Sequence, residues 1–207
     1  MACAVLAVGL ALAVSACGST NTTSATPTGS AGPVSLTPNP SASSLPTAGT
    51  TSRVGADCAI IPAKGKGSVG SMTTEQAVKA ASSNPQLSVF SAAVKAAGLD
   101  NALNTRHSYT LIVPANSAFA SLSKTQITHL RKSGFLVTIV RYHALASVIS
   151  PQQFAAGARP LTLEGKPLTL SKSGSAYKVN GATVLCGNIK TRNATVYIVN
   201  KVLLPPR

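Results

Sequence analysis

The stretch of residues 109–119, Tyr-Thr-Leu-Ile-Val-Pro-Ala-Asn-Ser-Ala-Phe, constrains the fold more than any other part of this 207-residue chain. Its run of β-branched and aliphatic side chains predicts a buried strand, which Pro114 ends because proline has no N–H to give to a sheet ladder. Asn116 favours a turn into a short helical segment anchored by Phe119. We therefore expect a central strand that holds a sheet against helices.

The sequence upstream of this strand predicts short helices. Thr73 is a candidate N-cap, and Gln76 is placed to close a capping box with it. Asn84 and Pro85 begin a second helix, whose apolar face is expected in the core until Gly98 stops it. Both helices should pack on the sheet.

The sequence downstream of the central strand predicts two more helices. Ile127 and Leu130 mark an amphipathic helix that ends near Gly134. Residues 135–142 follow and are apolar on most sides. We therefore expect this last helix to be buried.

Two hairpins and a closing strand are predicted near the C-terminus. Residues 161–163 and 168–170 alternate apolar and polar side chains around a turn of about four residues. A second hairpin turns at Asn180 and Gly181, the strongest short turn signal in the chain. Residues 196–204 form the closing strand.

The N-terminus has the character of an export signal. Residues 1–16 are nearly all Ala, Val and Leu, and they end in Val14-Ser15-Ala16-Cys17, which fits a lipobox followed by the cysteine to be acylated. The alternative is a buried N-terminal helix. Residues 18–52 carry no charge and consist largely of Ser, Thr, Pro, Gly and Ala. We interpret residues 17–56 as the lipidated Cys17 and a disordered tether.

Removal of the signal peptide and lipidation of Cys17 leave two of the four cysteines, Cys58 and Cys186. In an exported protein, an even remainder of two predicts a disulfide. Two buried free thiols are the alternative.

The chain has 18 basic and only 4 acidic residues, a formal net charge of +14. This balance favours anionic partners. The basic residues stand mostly alone and aromatic residues make up only 4% of the chain, so neither a stacking platform nor a phosphate track for nucleic acid is visible. We expect a monomer that does not bind nucleic acid.

The residues that catalysis needs are few and scattered. The sequence contains no Gly-x-Ser-x-Gly, His-Glu-x-x-His or Cys-x-x-Cys motif. The carboxylates and imidazoles are far apart along the chain: Asp57, Glu75, Asp100, Glu164, His107, His129 and His143. No catalytic residue, metal ligand or cofactor is predicted.

Three stretches occur in an order that resembles one known family. They are residues 109–119, the pair Tyr142 and His143 at the end of an apolar helix, and a second apolar strand within residues 194–206. Together they are similar to the first conserved box, the Tyr-His motif and the second conserved box of the fasciclin (FAS1/BIgH3) domain, over residues 73–206. With the lipobox and the two remaining cysteines, the chain resembles the secreted and lipid-anchored fasciclin-domain antigens of mycobacteria and related actinobacteria.

This resemblance implies an α+β fold, a single FAS1 domain over residues 57–207 in which a twisted sheet packs with several short helices. It implies that Tyr142, His143 and Asn116 are fold-motif residues and contacts for a partner. The imidazole of His143 is expected to fix the backbone by hydrogen bonding, with ligand contact as the alternative. Asn200 stands where the family commonly has Asp.

The function that follows is a binding module in adhesion, or in envelope or host-surface interaction, without catalysis. The protein is expected to be exported and held on the cell membrane by its lipid, or released outside the cell. Its expected partners are matrix or envelope polymers, anionic glycans among them. A carrier of an apolar envelope ligand is the alternative, and a hydrolytic enzyme is a third hypothesis.

Overall fold

The computed structural model describes residues 52–130 and 133–206. The predicted signal peptide, the lipidation at Cys17 and the tether up to residue 51 lie outside these ranges. The folded unit begins before the predicted boundary at residue 57, because Val54 pairs with Gly187 and the Asn188 amide donates to the Ser52 carbonyl at 2.9 Å. Residues 52–56 therefore pack on the domain and are not part of a free tether.

In the described part of the chain, four short helices precede the first strand. They are α1 (Val69–Thr74), α2 (Ala77–Ser83), α3 (Ser88–Ala96) and α4 (Asp100–Thr105), with a 3₁₀ turn at Cys58–Ile60 and another at Pro85–Leu87. The start predicted at Asn84 is confirmed, since its side chain accepts from the Gln86 N–H at 2.8 Å. Leu87 and Phe90 are buried on the predicted face, and Gly98 follows the helix in a left-handed conformation at φ 69°.

The predicted cap at Thr73 is wrong. Thr73 lies inside α1, and its hydroxyl donates to the Gly70 carbonyl at 2.8 Å. Ser68 caps α1 instead, and Glu75 lies between the two helices. The α2 N-terminus is satisfied from a distance, because Oδ1 of Asn193 accepts from the Ala77 N–H at 2.9 Å.

The central part of the chain alternates strands and helices. It contains β1 (Tyr109–Pro114), α5 (Asn116–Ala120), α6 (Lys124–Leu130), α7 (Ser133–Tyr142), β2 (Ala144–Leu145) and α8 (Pro151–Ala155). The predicted strand and the turn into α5 are confirmed, and every residue of β1 is buried. The stop predicted at Gly134 is wrong, since α6 ends at Leu130 and Gly134 lies in the first turn of α7.

The C-terminal part is mostly sheet: β3 (Leu170–Ser173), β4 (Ala176–Val179), β5 (Ala182–Lys190) and β6 (Ala194–Val199). The hairpin at Asn180 and Gly181 is confirmed, and both residues have positive φ, 47° and 78°, as its tight turn requires. The closing strand ends at Val199, earlier than predicted.

The other predicted hairpin, residues 161–170, is wrong in its pairing. It is reduced to one bridge between Leu161 and Pro167. The Thr162 N–H donates to the Lys166 carbonyl and the Leu168 N–H donates to the Pro160 carbonyl on either side of this bridge. Leu170 begins β3, which pairs with β4.

Within the described residues, six strands form one mixed sheet in the order β2-β1-β6-β5-β4-β3. The central pair, β1 and β6, is parallel, from Tyr109 opposite Ala194 to Pro114 opposite Val199. Alternate residues of β1 enter two different cores, Leu111 on one face and Ile112 on the other. Because both faces are covered, these strands are continuous apolar runs. The architecture is α+β, as predicted.

A disulfide joins Cys58 to Cys186, which are 128 residues apart in the sequence, with their Cα atoms 4.7 Å apart. It links the N-terminal 3₁₀ turn to the middle of β5. The predicted pairing is therefore present, and the alternative of two free thiols is not.

Candidate functional site

His143 lies at the junction of α7 and β2, and its side chain is fully buried. Nδ1 is 2.8 Å from the Ile139 carbonyl, and Nε2 is 3.1 Å from the backbone N–H of Leu203. A carbonyl can only accept and an N–H can only donate, so the ring must be neutral with its proton on Nδ1. The imidazole therefore fixes two backbone segments, as the family resemblance implied.

Burial lowers the pKa of His143 to about 4, and the bond to the Ile139 carbonyl opposes this effect. The ring also packs against Phe90, with the two ring centroids 5.5 Å apart. A general base must have a free lone pair near neutral pH. His143 has none to offer, because its only lone pair accepts from Leu203.

Tyr142 connects the end of α7 to the hairpin between β4 and β5. Its hydroxyl accepts from Nδ2 of Asn180 at 2.7 Å, and Oδ1 of Asn180 accepts from the Thr169 N–H at 2.7 Å. Burial raises the pKa of Tyr142, while the Asn180 bond opposes the change. With 1% of its surface exposed, Tyr142 holds elements together and offers almost no surface to a partner.

Asn116 joins α5 to the start of α3. Its Oδ1 accepts from the Val89 N–H at 3.0 Å, and its Nδ2 donates to the Pro85 carbonyl at 2.8 Å and to the Ser88 hydroxyl at 3.1 Å. All polar atoms of this side chain are thus occupied within the domain. The structure brings Asn116 and His143 to the same helical layer, since His143 contacts Phe90 of α3.

Two further asparagines that the sequence analysis did not single out for this role are structural hubs. Asn193 is 4% exposed, and its amide donates to the carbonyls of Leu103, Asn104 and Arg106 at 2.9 to 3.0 Å. Asn200 accepts from the Thr183 N–H at 2.8 Å, so an amide serves where the family commonly has a carboxylate. The sequence signal that could have pointed to these two residues is their position, since one asparagine flanks each end of β6.

An apolar cavity of about 360 Å³ opens between α3, α5, α7 and the C-terminal segment. Its walls include Phe90, Ala93, Phe119, Ile139, His143 and Val202. A second cavity of about 500 Å³ adjoins α7 and the C-terminal segment, and its walls include Phe135, Thr138, Lys166 and Leu204. Clefts of this size that are lined mainly by apolar side chains are typical of small-molecule sites.

A basic edge, which we define as His107, Lys190 and Arg192, lies where β5 ends and β1 and β6 begin. These side chains surround a shallow depression of about 270 Å³, together with the hydroxyl-bearing Thr191 and Thr195. Nζ of Lys190 donates to the Thr195 hydroxyl at 3.0 Å, which holds the ammonium group in place. His107 and Arg192 are exposed.

Across residues 52–130 and 133–206, no group of three or more His, Cys, Asp or Glu side chains is placed to hold a metal ion. In that same part of the chain, no helix is long and apolar enough to cross a membrane.

Comparisons with known proteins agree with this geometry. The family model of the Fasciclin domain matches residues 85–205. The chain is 36% identical over 170 residues to the immunogenic protein MPB70 of Mycobacterium bovis, covering 78% of this chain and 86% of that protein. It is 33% identical over 192 residues to the cell surface glycolipoprotein MPB83 of the same species, covering 84% of this chain and 86% of that protein.

Among solved structures, a FAS1 domain pair from the insect cell adhesion molecule Fasciclin I matches with a TM-score of 0.48 and 20% identity, over 58% of this chain and 45% of that one. The family match covers more than half of the chain, and the two mycobacterial relatives match it over 78% and 84% of its length. The chain belongs to the fasciclin-domain family.

Proposed function

We propose that this chain is an exported, lipid-anchored protein of the cell surface that binds anionic polymers of the envelope or the surrounding matrix, without catalysis. The basic edge is the observation that carries this proposal. It combines cationic side chains with hydroxyl groups around one depression, and such a group recognises sulfate, phosphate or carboxylate on a polymer.

The charge of the whole chain supports the same partner class. A net charge of +14 attracts anionic polymers over distances of about a Debye length. The relative MPB83 is described as a cell surface glycolipoprotein, and Val14-Ser15-Ala16-Cys17 supplies an acylation signal here. The net charge attracts the polymer to the domain, and the basic edge is the surface that we propose it contacts.

The experiment measures binding of the full chain carrying Cys17→Ala to arrays of sulfated, carboxylated and neutral polysaccharides. Lys190→Gln/Arg192→Gln is compared with Lys79→Gln/Lys95→Gln, which removes the same charge from exposed positions on α2 and α3. We expect the first pair to weaken binding about tenfold and the second by less than about twofold. Equal losses, or binding that does not weaken with salt, would contradict the basic edge as the contact.

The lipid anchor has a separate test. Cells that express the wild-type chain and cells that express Cys17→Ala are divided into membrane and soluble fractions. We expect the wild-type chain in the membrane fraction and the variant in the soluble fraction or the medium, because one acylated cysteine is the only anchor proposed. Membrane retention of Cys17→Ala would contradict anchoring through this residue.

Carriage of an apolar envelope ligand is a second candidate function. It is favoured by one observation, the apolar cavity of about 360 Å³ beside α7. This candidate does not depend on the basic edge, which lies at an end of the sheet and shares no wall with the cavity.

A further inference from the structure

The helix α7 is less covered than its sequence predicts. Residues 135–142 are apolar on most sides and were expected to be buried, yet Phe135, Leu136 and Val137 are only partly buried. Ile139 and Val140 further along the helix are buried. Phe135 therefore presents apolar surface to the second cavity and Leu136 to the first, and covering such a surface with an apolar ligand is favourable.

The walls of the first cavity decide which chemical group fits inside it. They consist of aliphatic and aromatic side chains and one polar side chain, His143. Both nitrogens of His143 are already bonded, to Ile139 and Leu203. No side chain in the wall is left to hydrogen-bond a ligand, so a polar group placed there would lose its hydrogen bonds to water. The occupant must be hydrocarbon.

The second cavity supplies the charge that the first one lacks. It adjoins the same elements, since Phe135 directly precedes Leu136 of the first cavity within α7, and Leu204 lies two residues after Val202. Lys166 is the cationic side chain in its wall. One of its three ammonium protons goes to the Pro206 carbonyl, which leaves two for an anion.

We infer that the apolar cavity holds the hydrocarbon chain of a long-chain fatty acid whose carboxylate meets Lys166 in the second cavity. A ligand with an apolar tail and one anionic end matches a hydrocarbon wall beside a single cation. Two cavities placed along the same helix and the same C-terminal segment favour an elongated chain over a compact ring system. The inference deepens the second candidate function and is independent of polysaccharide binding at the basic edge.

The test uses cis-parinaric acid, a fatty acid that fluoresces in apolar surroundings, with palmitate as competitor and the full chain carrying Cys17→Ala as the protein. Ala93→Phe on α3 fills the cavity, because Ala93 lies in its wall. Ala92→Phe is the matched control, since Ala92 is exposed on the same helix and is not in the wall. Circular dichroism checks that both variants are folded, and Ala96→Phe at the same wall replaces Ala93→Phe if the latter does not fold.

We expect Ala93→Phe to weaken parinaric acid binding about tenfold or more, while Ala92→Phe binds as the wild type does. Lys166→Gln should weaken palmitate binding but leave competition by hexadecanol, the uncharged alcohol of the same length, unchanged. Absence of any fatty acid binding would overturn the inference, whereas the second candidate function would fall only if uncharged apolar ligands such as hexadecanol also did not bind. If neither Ala93→Phe nor Ala96→Phe weakens fatty acid binding, the ligand does not bind in the apolar cavity. If Lys166→Gln weakens palmitate and hexadecanol binding equally, the carboxylate does not contact Lys166.

Discussion

The backbone N–H of Leu203 donates to Nε2 of His143, 60 residues earlier in the chain, over 3.1 Å. This bond ties the segment that follows β6 to the end of α7. It can exist only while the imidazole is neutral, because protonation of Nε2 would place two donors face to face. Protonation of His143 is therefore coupled to the stability of the fold.

We expect the free energy of unfolding to fall as the pH drops. The pKa of His143 is about 4 in the folded chain and about 6.5 in the unfolded one. Since the unfolded chain binds the proton more tightly, the contribution is complete above about pH 6.5 and is lost towards pH 4, by about 3 kcal/mol. Urea unfolding measured across this range checks the prediction.

His143→Gln is the control for this prediction, because its amide can donate to Ile139 and accept from Leu203 but does not titrate in this range. The variant should show a shallower fall between pH 6.5 and 4. The same pH dependence in both proteins would show that other groups cause it.

Loss of the Cys58–Cys186 disulfide should strongly destabilise the domain. It closes a loop over 128 residues of sequence, for which chain entropy gives about 4 to 5 kcal/mol. Urea unfolding of Cys58→Ala/Cys186→Ala measures the loss. Adding reductant to the wild type should reproduce it, while the variant should not respond to reductant. If the variant is destabilised but reductant leaves the wild type unchanged, the effect comes from lost packing of Cys186 and not from loss of the disulfide.

Asn193→Ala should cost about 3 kcal/mol of unfolding free energy, because it removes the acceptor of the buried Ala77 N–H and the donors to three carbonyls. Asn101→Ala is the matched control, since Asn101 is exposed on α4 and should change stability by less than about 0.5 kcal/mol. Thermal unfolding followed by circular dichroism compares them. Similar losses in the two variants would argue against Asn193 as a hub.

Gly187→Ala should destabilise the domain by about 3 kcal/mol, because a Cβ atom at this position would overlap the ring of Tyr197. The ring of Tyr197 cannot easily move aside, since its hydroxyl donates to the Ile149 carbonyl at 3.0 Å.

Gly134→Ala is the control, and it should change the free energy of unfolding in the opposite direction. Gly134 is helical with open space around its Cα, so alanine should stabilise α7 by about 0.5 to 1 kcal/mol. Chemical denaturation of both variants gives the comparison.

Local signals predicted the elements that depend on neighbouring residues. The β1 strand, the turn at Asn180 and Gly181, and the stop at Gly98 all follow from side-chain periodicity or from positive φ within a few residues. The candidate site was predicted in part for the same reason. Tyr142, His143 and Asn116 were named from motifs in the sequence, although the sequence could not show that all three are engaged inside the domain.

The sequence by itself determined the β1 strand, the hairpin at Asn180 and Gly181, the apolar faces of the longer helices, the pair of cysteines and the net positive charge. Only the tertiary structure decided which groups end or join these elements. Thr73 lies inside α1, which Ser68 caps, and the Ala77 N–H at the start of α2 is satisfied by Asn193, 116 residues away. The apolar residues in the first turns of α7 are only partly buried among the described residues. The cavities and the basic edge are likewise formed by residues that are distant in the sequence. Contacts between distant residues leave no pattern within a short window of sequence, so local signals could not predict them.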